Sequence, residues 1–168
     1  MIQFIQRLWV VLLLVITQVL ILNHVQIAGY ATPYIYIYYI LVLNSDTSRN
    51  SLLMQAFGIG LLVDIFSNTP GMNAAAATLM AFTRQTVLHT QMSRDISDEF
   101  EPNIRNLGFS HFLRYTLYET IVFITALQAL SAFSVFRGKE LFLRIVTDVI
   151  ITTFIIVCVD VLRKRRKK

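Results

Sequence analysis

Much that would betray an enzyme is missing from this chain. It has one cysteine, Cys158, set inside an apolar run. An intrachain disulfide and a cysteine metal cluster are therefore excluded, and Cys158 reads as a small hydrophobe of a helix. There is no HExxH, no GxSxG and no glycine-rich phosphate loop, so the zinc-protease, esterase and phosphate-loop signatures are absent. The three histidines, His24, His89 and His111, fall in separate loops or helix ends. On the topology that the charges imply they lie on both sides of a membrane and cannot converge on a metal. No two carboxylates share one depth; Asp64 with Asp148 is the one pair on the outer half. The expectation is a protein that is not an enzyme, with no catalytic residue, cofactor or metal. No internal repeat is visible, and nothing marks a second domain.

What the sequence has in abundance is apolar side chains. Of its 168 residues 55% are hydrophobic, mean hydropathy is +0.60, and the apolar residues come in blocks, which makes lipid the solvent for most of the protein. Six stretches predict an all-α integral membrane protein with six transmembrane helices in one domain, 1–168. The helices are expected over about 8–23, 31–44, 51–66, 70–88, 109–136 and 141–162, with a cytoplasmic linker over 89–108 and a basic tail over 163–168. Several apolar runs fall short of the ~20 residues that cross a ~30 Å hydrocarbon core, so polar ends or a thinned bilayer must make up the rest. The second stretch is the weakest. Its YIYIYY alternates like a strand, but a lone strand cannot satisfy its backbone in lipid, so a helix started by Thr32-Pro33 is expected.

The net charge of +5 would suit nucleic acid, yet six of the fifteen basic residues are the terminal RKRRKK, directly after an apolar helix. Topology explains them, and no nucleic-acid partner is expected. With both termini cytoplasmic, the inner side holds Arg7, Arg49, Arg84, Arg94, Arg105, Arg114 and the tail; the outer side holds only Arg137, Lys139 and Arg144. The bias is clear. Trp9, Tyr30 and Tyr34 are placed as interfacial aromatics. A rival reading takes the first apolar run and Gly29-Tyr30-Ala31 as a cleavable signal peptide.

Charges inside spans each require a reason. Asp160 has Arg163 and Lys164 three and four residues on, and predicts a surface pair. Arg144 and Asp148 also stand at i,i+4, with Thr152 continuing a face that should point into the bundle. Glu119 lies deep in the fifth stretch and either needs a partner from another helix or chain, as structural glue or a contact site, or stays protonated. Asp64 ends the third stretch, before the turn SNTPG. Asn68 or Thr69 is expected to cap the next helix with Pro70 in its first turn, and Asp64 and Ser67 to answer its free N–H groups. Asn73, Ala77, Ala81 and Arg84 leave one face of that helix nearly bare, as do Ala56 and Gly60 on the helix before and Ala126, Ala129 and Ala132 on the fifth. Such faces admit close helix packing, from this chain or from a partner.

The run GLLVDIFSNTPGMNA (60–74) resembles the signature hairpin of the rod-shape-determining membrane protein family MreD, and NHVQIAGYATPYIYIYYIL (23–41) resembles its Bacteroidetes-type members. The likeness extends to the length, the six apolar segments, the polar loop between the fourth and fifth, and the basic end. Pro70 and Gly71 adjoin here, where members often have a residue between them. The resemblance implies a non-catalytic scaffold of the cell-elongation machinery in the bacterial inner membrane. It implies a fold similar to the substrate-binding subunit of energy-coupling-factor transporters. Its partners would be an MreC-type membrane-anchored scaffold, the MreB filament, and the elongation-specific peptidoglycan polymerase and transpeptidase. Residues placed at the partner groove or cavity are Asp64, Ser67, Asn68, Pro70, Gly71, Asn73, Ala77, Glu119 and Asp148. The alternative is a substrate-binding subunit of a vitamin or small-molecule transporter, which needs Asp64, Asn68, Asn73 and Asp148 to converge on a roomy outer cavity.

Overall fold

Apolar runs of this length fold as helices because a helix satisfies its own N–H and C=O groups where water is scarce. A computed structural model describes residues 2–23, 32–91, 100–131 and 138–166, and no strand occurs among them. The elements are α1 (Ile2–Thr17), continued by a π-helical turn (Gln18–Leu22), then α2 (Ile37–Val42), α3 (Arg49–Ser67), α4 (Met72–Gln91), α5 (Ile104–Leu107), α6 (Phe109–Ser131) and α7 (Gly138–Arg166). His24, Tyr30, Arg94, the linker acids Asp95, Asp98 and Glu99, Ala132 and Arg137 lie outside the described residues, as do the tail side chains beyond Arg163.

Two helices, Arg49–Ser67 and the Leu141–Arg163 part of α7, are long and apolar enough to cross a membrane, and Trp9–Leu22 forms a shorter apolar helix. At ~1.5 Å per residue, α4 with 20 residues and α6 with 23 are as long, but they carry more polar side chains. The exterior is greasy: Trp9, Met54, Ile65, Phe66, Phe142, Phe154 and Leu162 are all more than half exposed. The interior holds Gln18, Asp64, Arg84, Glu119, Asp148 and Asp160, all buried. This inverts the usual distribution of a water-soluble fold.

Helices α3 and α4 form a tight antiparallel hairpin. A Cβ on Gly60 would lie 2.6 Å from Ala74 Cα and 2.7 Å from the Asn73 carbonyl oxygen, so only glycine permits this approach. Ala56, Ala74, Ala77 and Ala81 are buried. The bare faces therefore serve the chain's own packing, which corrects the reading of Ala77 as a partner contact: it is filled from within. At the other end Arg49 stacks on the Phe82 ring, 4.2 Å from its centroid. Helix α6 packs against α4 and α7, and α1 meets the bundle through its last turns.

The second stretch departs most from expectation. It is not a helix over 31–44. Residues 32–35 are non-helical, and a six-residue helix follows from Ile37. Pro33 thus lies inside a non-helical run instead of starting a helix. Tyr36, Ile37, Ile40 and Leu41 are fully buried, so this irregular piece is the centre of the bundle. Tyr34 is half-buried, and its ring meets Phe123 edge-on at 5.5 Å. The linker also differs, since α4 continues to Gln91 and the short α5 has both ends buried, Ile104 and Leu107.

Gly60→Ala is expected to lower the unfolding free energy by about 1–3 kcal/mol through overpacking against backbone. Gly58→Ala, where a Cβ meets nothing within 4 Å, should raise it by about 0.5–1 kcal/mol. Thermal unfolding of both variants in detergent measures the contrast.

Candidate functional site

An unwound segment inside a bundle exposes N–H and C=O groups that no helix answers. Here polar side chains from the surrounding helices answer them. The Thr32 N–H donates to Asp148 Oδ1 at 2.8 Å, and the Tyr34 N–H to Thr152 Oγ1 at 3.2 Å. Gln18, in the π-helical turn, takes the Ile35 N–H on Oε1 at 2.8 Å and gives its amide to the Pro33 carbonyl at 3.0 Å. The segment's tyrosines continue the pattern. Tyr36 OH donates to Asn73 Oδ1 at 3.0 Å and Tyr38 OH to Asp160 Oδ1 at 2.9 Å. Partners rise along α7 from Asp148 through Thr152 to Asp160 as the segment runs from Thr32 to Tyr38, so the two travel in the same direction.

The far end of α2 is closed by a cation. Arg84, fully buried, donates through Nη2 to the Leu41 and Leu43 carbonyls and through Nε to Tyr115 OH at 3.1 Å. Tyr115 OH in turn donates to the Leu41 carbonyl at 3.0 Å. Orphan carbonyls at a helix C-terminus attract a guanidinium in this way. Arg84 is thus an interior residue, which corrects its placing among the cytoplasmic charges. Glu119 does find its partner on another helix: Thr83 Oγ1 donates to Oε2 at 3.2 Å.

Both aspartates of α7 behave differently from the local rule. The Arg144–Asp148 ion pair does not form among the described residues; Asp148 spends Oδ2 on Gln128 Nε2 at 2.8 Å. Asp160 is buried and its Oδ2 accepts from the Ile104 N–H at 2.9 Å, while Arg163 turns to Glu101 at 2.9 Å. Each carboxylate is worth more to a buried backbone N–H than to a solvated neighbour, because an unpaired buried donor costs its full desolvation.

At the hairpin, Asp64 acts as expected. Its Oδ1 accepts from the Asn73 N–H at 3.0 Å, Asn73 Nδ2 at 2.9 Å and Thr69 Oγ1 at 2.5 Å; its Oδ2 accepts from the Ala74 N–H at 2.8 Å. The residue whose carbonyl opens α4 is Gly71, with φ 75° and no side chain, so Asp64 supplies the cap that Gly71 lacks. Three details differ. Pro70 precedes α4 and is not in its first turn. Asn68 ends α3 in a left-handed conformation, φ 54° and ψ 40°, and does not cap α4. Ser67 accepts from Asn23 Nδ2 at 2.7 Å, tying α1 to the hairpin, and does not reach the α4 N–H groups.

The sequence-predicted residues therefore divide. Asp64, Asn73, Ala77, Glu119 and Asp148 are internal framework. Asn68 and Pro70 are exposed at the hairpin tip, with Gly71 half-buried. They border an open depression of about 540 Å³ that also touches Leu61, Asp64, Ile65 and Thr69. Thr152 joins the polar lattice from the inward face on which it was expected; Gln18, Tyr36 and Tyr38 join it too, and none of these three was expected at the site. The signal for Gln18 was in plain view, an amide inside LWVVLLLVITQVLIL.

Asp64→Ala is expected to destabilise the protein by about 1–3 kcal/mol, since buried donors lose their acceptor; Asp64→Asn, which keeps one oxygen, should cost less. Thr152→Val should also cost about 1–3 kcal/mol by stranding the Tyr34 N–H, and denaturant titration in micelles measures all three. Comparison of the chain with family models, curated proteins and solved structures finds no match.

Proposed function

We propose that this is a multi-pass protein of the bacterial inner membrane, with six crossings and both termini cytoplasmic, that serves the cell-elongation machinery as a non-catalytic scaffold, as the MreD-like hairpin implies. The observation carrying the reading is the fate of the acidic side chains. Asp64, Asp148 and Asp160 spend both oxygens on internal donors. Among the described residues, the apolar outside of the bundle and the hairpin tip at Asn68 and Pro70 are open to other molecules. Surfaces of that kind suit docking of partner helices by close packing. The transporter alternative needs Asp64, Asn68, Asn73 and Asp148 free to meet a ligand; Asn68 is exposed, and the internal bonds of the other three weigh against it.

Six crossings accord with the course of the second stretch. Although only Ile37–Val42 is helical, the segment lies beside α7 with its backbone shielded by protein, the condition under which irregular backbone is tolerated at membrane depth. The partners on this reading are an MreC-type membrane-anchored scaffold, the MreB filament and the elongation-specific peptidoglycan polymerase and transpeptidase, within the lipid bilayer.

A tagged chain extracted in mild detergent should co-purify the MreC-type scaffold and the elongation transpeptidase. Substituting the exposed tip, Asn68→Ala with Pro70→Ala, should reduce that recovery several-fold without lowering expression. Recovery of neither partner from the unmodified chain would sink the proposal, as would a reporter fused after Lys168 that is active only outside the inner membrane.

A further inference from the structure

Arg84 and Glu119 are both fully buried and lie close together. Thr83, the residue before Arg84, bonds Glu119, and Arg84 bonds Tyr115, one helical turn before Glu119. A guanidinium and a carboxyl group so placed are natural hydrogen-bond partners. Yet they form no direct ion pair among the described residues, and each keeps a buried atom without a partner, Arg84 Nη1 and Glu119 Oε1. Three hydroxyls are in the same state: Thr116 and Thr120, each one position along α6 from Tyr115 and Glu119, and Thr153 on α7.

We infer that Arg84 and Glu119 hold a water molecule between them, making an internal hydration site in the middle of the bundle. Charge selects the occupant. A cation would face the Arg84 guanidinium, whereas water accepts from Nη1 and bonds Oε1 whether or not that carboxyl carries a proton. Buried waters settle where they find two to four polar partners, and these two groups supply the first two. The unpartnered hydroxyls of Thr116 and Thr120, next to Tyr115 and Glu119 along α6, extend the same polar interior. Such a site keeps Nε and Nη2 of Arg84 free for Tyr115 and the α2 carbonyls, which a direct bidentate pair with Glu119 would claim.

Brief X-ray radiolysis of the full chain in lipid nanodiscs tests this, because hydroxyl radicals form where the water sits. After correction for intrinsic reactivity, Tyr115 should oxidise several-fold faster than Phe123, an equally buried ring. In an Arg84→Met, Glu119→Leu double variant, Tyr115 should fall to the Phe123 rate. Equal slow oxidation of both rings in the natural chain overturns the site. Undiminished oxidation of Tyr115 in the double variant, with Phe123 still slow, overturns its assignment to this pair. A rise at Phe123 marks unfolding of the variant, and the ratio in the natural chain then decides.

Discussion

A non-helical stretch at the centre of a helical bundle is the constraint from which the rest of this structure follows. Once residues 32–35 leave the helix, their donors and acceptors must be met by side chains, because an orphan buried N–H or C=O costs free energy comparable to a lost hydrogen bond. Gln18, Asp148 and Thr152 meet the upstream half, and Arg84 with Tyr115 meets the carbonyls at the downstream end. Four elements are thereby bonded to one segment: the π-helical turn after α1, α4, α6 and α7. The polar residues that look misplaced in an apolar protein are the fasteners of its irregular core.

The same logic governs the α3–α4 hairpin at smaller scale. Gly60 lets the two backbones touch, and the close approach brings Asp64 over the first N–H groups of α4. Gly71 makes the turn but brings no side chain for capping, so the carboxylate comes from the preceding helix. Loss of either glycine contact or carboxylate would loosen the other, since each is positioned by the geometry it helps to create. Asn23, bonded to Ser67, extends this joint to the end of α1.

Committing the interior polar groups to structure shapes what the protein can offer outward. Many large apolar side chains are exposed, Trp9, Met54, Phe66, Phe154 and Leu162 among them, which suits contact with lipid and with other helices. On the proposed scaffold reading, selectivity for partners would lie in the shape of these faces and of the hairpin tip. The buried charges would act at one remove, by holding the helices in register.

The apolar blocks by themselves decided that the chain is helical and roughly where most helices run, because hydrophobic runs of this length leave the backbone few alternatives. The Asp64 cap was also legible, since donor and acceptor lie within ten residues of each other. The tertiary structure alone decided the second stretch and the roles of Arg84, Asp148 and Asp160. Their partners are 20 to 122 residues away, and a nearer i,i+4 neighbour offered a satisfactory local explanation for both aspartates. Local spacing ranks interactions by proximity along the chain. Burial ranks them by the cost of leaving a donor unpaired, and here that cost outweighs the gain from a solvated neighbour.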